Sequence, residues 1–211
     1  MLDANTLKER IQVRYEEESS EECCLSCGDP ISSLEIRPGE VILDLGCGRG
    51  GDTIRAARQS GPDGMAAGLD LTESMVEEAI KAAAAENISN VSFVQGDIEN
   101  LPFGDNVFDG VISNCVVNHA KDKRRVYSEI HRVLKRGGRF VISDPVSKHG
   151  LPQEVKEDPE AWAQCFGGAI TETEYADTVL SAGFSKIEVL NRREYVKNGF
   201  DFISLTIKAV K

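Results

Sequence analysis

Cysteine has the widest chemical reach of any residue type in this chain, and it occurs as Cys23, Cys24, Cys27, Cys47, Cys115 and Cys165. A thiolate attacks electrophiles, exchanges with disulfides and ligates soft centres. Spacing separates the six by the chemistry open to each. Cys24 and Cys27 form a C-x-x-C without a second pair or nearby histidines, which is a weak zinc signal. The glutamates beside them raise thiol pKa values and do not favour a fast nucleophile. Cys47 lies inside a glycine-rich run, where its backbone matters more than its sulfur. Cys115 follows Ser113-Asn114 and Cys165 precedes Phe166-Gly167-Gly168; each could ligate, or simply pack as a small buried hydrophobe. The chain shows no export signal and is too long to need staples, so reduced thiols are expected.

Carboxylates supply a second constellation. Asp44-Leu45-Gly46-Cys47-Gly48-Arg49-Gly50-Gly51 stands between an apolar run and a helical pattern, where glycines let a ligand approach the backbone. Asp70 follows Gly46 by 24 residues, the usual distance for a carboxylate on ribose hydroxyls. The loop also satisfies G-x-G-x-x-G, so a nicotinamide dinucleotide has to be considered. Three features favour S-adenosylmethionine instead. Asp44 sits two residues before the first glycine, placed for an ammonium. Asp97 ends a strand and offers a carboxylate to an adenine amino group. A closing antiparallel hairpin is not needed by a dinucleotide fold. The candidate cofactor contacts are Asp44, Gly46, Cys47, Gly48, Gly50, Asp70, Leu71, Asp97, Ile98 and Asn114, in a groove at the carboxyl edge of a sheet.

The elements that must position these groups follow from periodicity. Val41–Leu43, Met65–Leu69, Val91–Val94, Val107–Ser113 and Arg139–Ser143 are continuous apolar strands. Between them fall helices over Asp52–Ser60, Glu73–Glu86 and Asp122–Arg136, the last stopped by Gly137-Gly138. Strands of this kind alternating with amphipathic helices predict a parallel sheet covered on both faces. A short helix is expected from Asp158 to about Phe166, and a capping box at Thr171–Glu174 opens another. Lys186–Tyr195 and Phe202–Ala209 alternate without a helix between them and should pair antiparallel. The fold class is α/β: a Rossmann-like, doubly wound, seven-stranded sheet, mostly parallel, with an antiparallel C-terminal hairpin. Ahead of it, Leu7, Ile11 and Tyr15 make one apolar stripe on a helix, and an acidic linker follows.

Charge narrows the partners. With 24 Lys and Arg against 35 Asp and Glu, the net charge is −11, which disfavours nucleic acid and anionic membrane surfaces. No apolar run approaches the roughly 20 residues of a bilayer span, and MLDANTLKERIQ has no apolar signal core, so a soluble cytoplasmic protein is expected.

VILDLGCGRG, GLD, QGDIENLPF, FDGVISN and RVLKRGGRFVISD resemble the successive motifs of class I S-adenosylmethionine-dependent methyltransferases. Within that superfamily the chain resembles the arsenite S-adenosylmethionine methyltransferases closely. ISNCVVN with KDKRRVYSEIHRVL is similar to that family's fourth-strand region. EAWAQCFGGAITETEY is similar to its second cysteine motif, and CLSCGDPISSL to a third. The resemblance implies that Cys27, Cys115 and Cys165 hold trivalent arsenic, and that Cys24 or Cys23 serves a disulfide relay. A thiol reductant, thioredoxin or a small thiol, is implied with them. Residues 1–39 would then be a cap and 40–211 the methyltransferase domain. The chemistry agrees, since three thiolates would hold As(III) with its lone pair free for a sulfonium methyl, and the As(V) formed takes two electrons back from thiols. The family usually carries a longer segment after its first cysteines and a C-terminal extension, so a minimal substrate lid is expected here. His119 stands where the family tends to carry Leu and where many quinone and small-molecule methyltransferases place His; it would also serve to cap the next helix. The alternatives are a methyltransferase of a small organic acceptor, a quinone precursor or a thiol, with structural cysteines, and a non-catalytic metalloid sensor.

Overall fold

The computed structural model describes residues 4–18 and 28–211, with side chains over 6–16 and 28–211. In chain order its elements are α1 (Ala4–Glu18), α2 (Pro30–Leu34), β1 (Val41–Leu45), α3 (Gly51–Ser60), β2 (Met65–Asp70), α4 (Glu73–Ala85), β3 (Val91–Gln95) and β4 (Phe108–Asn114). A 3₁₀ turn, Val117–His119, leads to α5 (Lys123–Val133), β5 (Leu134–Ser147), α6 (Gln153–Lys156), α7 (Pro159–Ala163), α8 (Glu172–Ser181), β6 (Ile187–Lys197) and β7 (Phe200–Val210). The strands make one sheet in the order β3-β2-β1-β4-β5-β7-β6. β1 to β5 are parallel, while β7 runs antiparallel to both β5 and β6. Strand order therefore reverses between β1 and β4, and open α/β sheets bind ligands outside the carboxyl ends of strands at such a point.

Alternation along the strands buries both faces. Ile42, Ala66, Ile112 and Val141 meet Ile31 and Leu34 of α2 and Ala56 and Ala57 of α3. Leu43, Leu45, Leu69, Val111 and Ile142 face the other layer, where Val126, Tyr127, Ile130 and Val133 of α5 join Tyr175 and Val179 of α8. The expected capping box is present: Glu174 N–H donates to the Thr171 hydroxyl, and the Thr171 N–H to the Glu174 carboxylate.

Two boundaries differ from expectation. α5 ends at Val133 rather than Arg136, because Leu134 pairs with Phe108 and opens β5. Gly137-Gly138 lies inside that strand, at a register shift against β4 that Gly137 accommodates with φ +77°. The expected helix from Asp158 to Phe166 stops at Ala163, since Cys165 takes a left-handed conformation, φ +64°, that no α-helix continues. α1 forms as its stripe predicts. Leu7 and Ile11 are buried beneath it, Gln12 donates to the Leu71 carbonyl at 3.0 Å, and Arg14 donates to the Ala163 carbonyl. No helix of the described residues is long and apolar enough to cross a membrane.

Candidate active site

The turn after β1 is shaped by contacts with β2. Gly46 and Cys47 donate their N–H groups to the Leu69 carbonyl at 2.7 and 3.0 Å. Gly46 sits at φ +70°, and a Cβ there would collide with Val116, so only glycine lets the chain turn at that distance from β4. Asp70 accepts from Gly48 N–H and Thr72 N–H, both at 2.9 Å, one on each oxygen. Burial raises the Asp70 pKa against those two hydrogen bonds, which favour the carboxylate. Asp97 accepts from Glu99 N–H at 2.9 Å and from Lys8 Nζ of α1 at 2.5 Å. Asn114 Nδ2 donates to the Gly28 carbonyl at 3.0 Å.

These residues enclose a cavity of about 320 Å³ at the β1/β4 switch point. Of the expected cofactor contacts, Gly46, Gly48, Asp70, Leu71, Asp97, Ile98 and Asn114 line it, and Lys8, Ile11 and Tyr15 of α1 form its roof. Asp44, Cys47 and Gly50 do not form its wall. The Asp44 carboxylate is buried behind the loop and accepts from the Thr53 hydroxyl at 2.7 Å, and burial pushes its pKa up to about 7. The Cys47 thiol lies against Gly68, and burial pushes its pKa well up. Gly50 caps α3, accepting Ile54 N–H at 2.8 Å. The two-residue spacing from Asp44 to Gly46 is real, but alternation on β1 turns that side chain towards α3.

Cys115, just beyond β4, lines the groove beside Tyr15 and His119, and Cys165, just beyond α7, lies against these three residues. Both cysteines have left-handed backbones, with φ +59° and +64°. That conformation is uncommon for a residue with a side chain, costs energy, and collects at functional sites. Cys115 is disulfide-bonded, whereas Cys47 and Cys165 are free. The expectation of reduced thiols throughout is therefore corrected at Cys115. Its partner is not among the described residues; the physical setting is the hydrogen bond from neighbouring Asn114 to Gly28, which ties the chain ahead of β1 to this strand end. Cys24 and Cys27, with Cys23, lie outside the described residues.

Cys165 is the centre of a cluster that periodicity did not reveal. Its Sγ lies 2.7 Å from His119 Nε2 and 3.6 Å from the Tyr15 hydroxyl, and it donates to the Cys115 carbonyl at 3.0 Å. Tyr15 Oη is also 3.1 Å from His119 Nε2. Burial lowers the His119 pKa to about 3 and raises the Cys165 pKa to about 11, so near neutral pH the pair is thiol and neutral imidazole. His119 does not cap α5: the cap is Asp122, which accepts from Arg125 N–H at 3.0 Å. The available signal was the pairing of His119 with a cysteine 46 residues away, which only tertiary structure joins. The arrangement offers a thiol held by polar atoms, next to a second sulfur residue, against one wall of a groove that also presents carboxylates.

Several characterised proteins are similar to this chain. Residues 36–183 match a family model described as a methyltransferase domain. An arsenite methyltransferase of Halobacterium salinarum is 41% identical over 170 residues, 81% of this chain and 44% of that protein. A demethylmenaquinone methyltransferase of Symbiobacterium thermophilum is 40% identical over 122 residues, 56% of this chain and 49% of that protein. The chain spans about half the length of these curated relatives. The crystal structure of an arsenic(III) S-adenosylmethionine methyltransferase from Chlamydomonas reinhardtii superposes with a TM-score of 0.80 at 32% identity, covering 96% of this chain and 73% of that one. With its sheet order, its glycine turn and its groove, the chain belongs to the class I S-adenosylmethionine-dependent methyltransferases, in the arsenite methyltransferase family.

Proposed function

We propose that the chain transfers a methyl group from S-adenosylmethionine to trivalent arsenic, arsenite or methylarsenite, held by cysteine thiolates, as part of arsenic detoxification in the cytoplasm. The observation that carries this reading is the meeting of Cys115, which lines the groove, with the Cys165 thiol, 3.0 Å from Sγ to the Cys115 carbonyl, each on a left-handed backbone. Packing alone does not require two strained cysteines at one spot.

The groove fits the cofactor by its donor set. Gly46 and Gly48 leave the backbone bare, Asp70 would take ribose hydroxyls and Asp97 the adenine amino group, with Leu71 and Ile98 against the base. Bound there, S-adenosylmethionine supplies an electrophilic sulfonium methyl. The residues of the chain then have to hold arsenic in line with it, and positioning of this kind supplies most of the rate of a displacement. Each S–As bond that forms releases the thiol proton and an arsenic hydroxide together as water. Cys115 and Cys165 would take two positions and Cys27 the third, with Cys24 in the disulfide relay. Methyl transfer leaves As(V), and two thiols passing to a disulfide return the two electrons; an external thiol, thioredoxin or a small thiol, then restores them. The disulfide at Cys115 fits the oxidised end of that cycle. Residues 1–39 act in this scheme as a cap over 40–211, since α1 roofs the groove.

The deciding experiment incubates the full chain with radiolabelled S-adenosylmethionine, arsenite and a thiol reductant, and separates methylated arsenic. Cys165→Ser should abolish that product while cofactor affinity stays unchanged. Undiminished arsenic methylation by Cys165→Ser would remove Cys165 from the arsenic site, and labelling of a demethylated quinol with none of arsenite would transfer the chain to the organic-acceptor reading.

A further inference from the structure

We infer that His119 is a positioning residue: through Nε2 it fixes the Cys165 sulfur against the groove wall, where the Cys115 carbonyl and the Tyr15 hydroxyl also contact that sulfur. Its consequence for turnover rests on the arsenic reading; the geometry does not.

The backbone of Cys165 is tied locally by its N–H, which donates to the Trp162 carbonyl at 3.0 Å, but the sulfur has its partners elsewhere. α7 has ended at Ala163, and Cys165 lies in the turn that follows, with φ +64°. Three polar atoms from two distant segments, α1 and the stretch after β4, converge on it instead, and the imidazole is nearest. His119 is itself well placed to act as the anchor. It closes the 3₁₀ turn after β4, its N–H donates to the Val116 carbonyl at 2.9 Å, and its ring meets the Tyr15 ring edge-on at 5.7 Å. Burying a polar ring has a desolvation cost that an aliphatic side chain of similar size avoids. Packing therefore does not account for an imidazole at this position, whereas a hydrogen-bonding partner for the thiol does. A leucine there would leave the sulfur without a polar contact on that side, free to take other rotamers.

The test compares the full chain with His119→Leu, His119→Gln and His119→Asn. The Gln amide reaches about as far as Nε2, and the Asn amide falls short. In the arsenic-free arm, methyl methanethiosulfonate labels the reduced protein, and mass spectrometry follows modification at Cys165 with time. Labelling should slow about fivefold in His119→Leu and His119→Asn and recover to within about twofold in His119→Gln, the scale of one hydrogen bond. In the turnover arm, KM for arsenite should rise about tenfold in the Leu and Asn variants, with kcat and cofactor affinity held, and Gln should restore it. If His119→Leu fails to fold, the contrast between Gln and Asn still decides. Equal behaviour of Gln and Asn, or labelling and KM within about twofold of the parent in all variants, overturns the inference. Should the parent chain form no methylated arsenic, the arsenic reading falls while the labelling arm still judges His119.

Discussion

Asp70 has one backbone N–H on each carboxylate oxygen, from Gly48 and Thr72, so its orientation is set before any ligand arrives. A carboxylate fixed in this way can accept from two ribose hydroxyls without rearranging. Asp70→Ala should weaken S-adenosylmethionine binding by about 1.5–3 kcal/mol, the worth of charge-assisted hydrogen bonds, as measured by titration calorimetry. Unchanged affinity would remove Asp70 from the site. The spacing of glycines and carboxylates in the sequence located this half of the groove, because a turn between strand and helix confines its residues to a few ångströms. Asp44 shows the limit of that reasoning. Spacing placed it correctly along the chain, yet the side on which it emerges depended on β1 alternation and on Thr53 waiting beneath. His119 was visible only as an oddity, since its partner Cys165 is 46 residues away in sequence and meets it only in the folded chain.

Among the elements, α1 connects both halves of the site. Lys8 reaches Asp97 at the carboxylate end, and two turns later Tyr15 reaches His119 and Cys165 at the thiol end. The Lys8–Asp97 pair is about one-third exposed on each side, so it is worth well under a buried ion pair. It also occupies an oxygen that the adenine amino group would use. Lys8→Ala should therefore tighten cofactor binding by up to about fivefold, and weaker binding would mean that α1 contributes more as a roof than Lys8 withholds as a competitor. The stripe Leu7, Ile11 and Tyr15 made this helix legible from sequence, along with every strand of the sheet. The α5–β5 junction was less so. Its amphipathic pattern runs on past Val133, and the signal that ends it is the pairing of Leu134 with Phe108, a partner 26 residues away. Likewise the end of α7 is set by a strained cysteine whose reason lies outside the helix.

For the molecule as a whole, buried carboxylates determine how stability varies with pH. Asp144 is fully buried; Tyr175 donates to one of its oxygens at 3.0 Å, and the other has no hydrogen-bond partner among the described residues. Burial accordingly pushes its pKa up from 3.8 to about 7. The folded state thus holds a proton that the unfolded state releases between those values. Its contribution to stability is complete below pH 4 and is lost as pH rises towards 7. Asp144→Asn should flatten that decline, gaining on the order of 2–4 kcal/mol over the parent at neutral pH, as read from urea denaturation at pH 5, 6 and 7. An identical pH profile would mean that Asp144 ionises normally. Against a typical stability of about 5–15 kcal/mol, the left-handed backbones at Cys115 and Cys165 are also appreciable, at about 1–2 kcal/mol each. Glycine or asparagine would sit more comfortably at both positions, and the proposed function assigns the cysteines there to their sulfur. These two sites should therefore be the first to drift in any lineage that no longer meets the substrate, with glycine or asparagine appearing at them while the hydrophobic layers of the sheet remain intact.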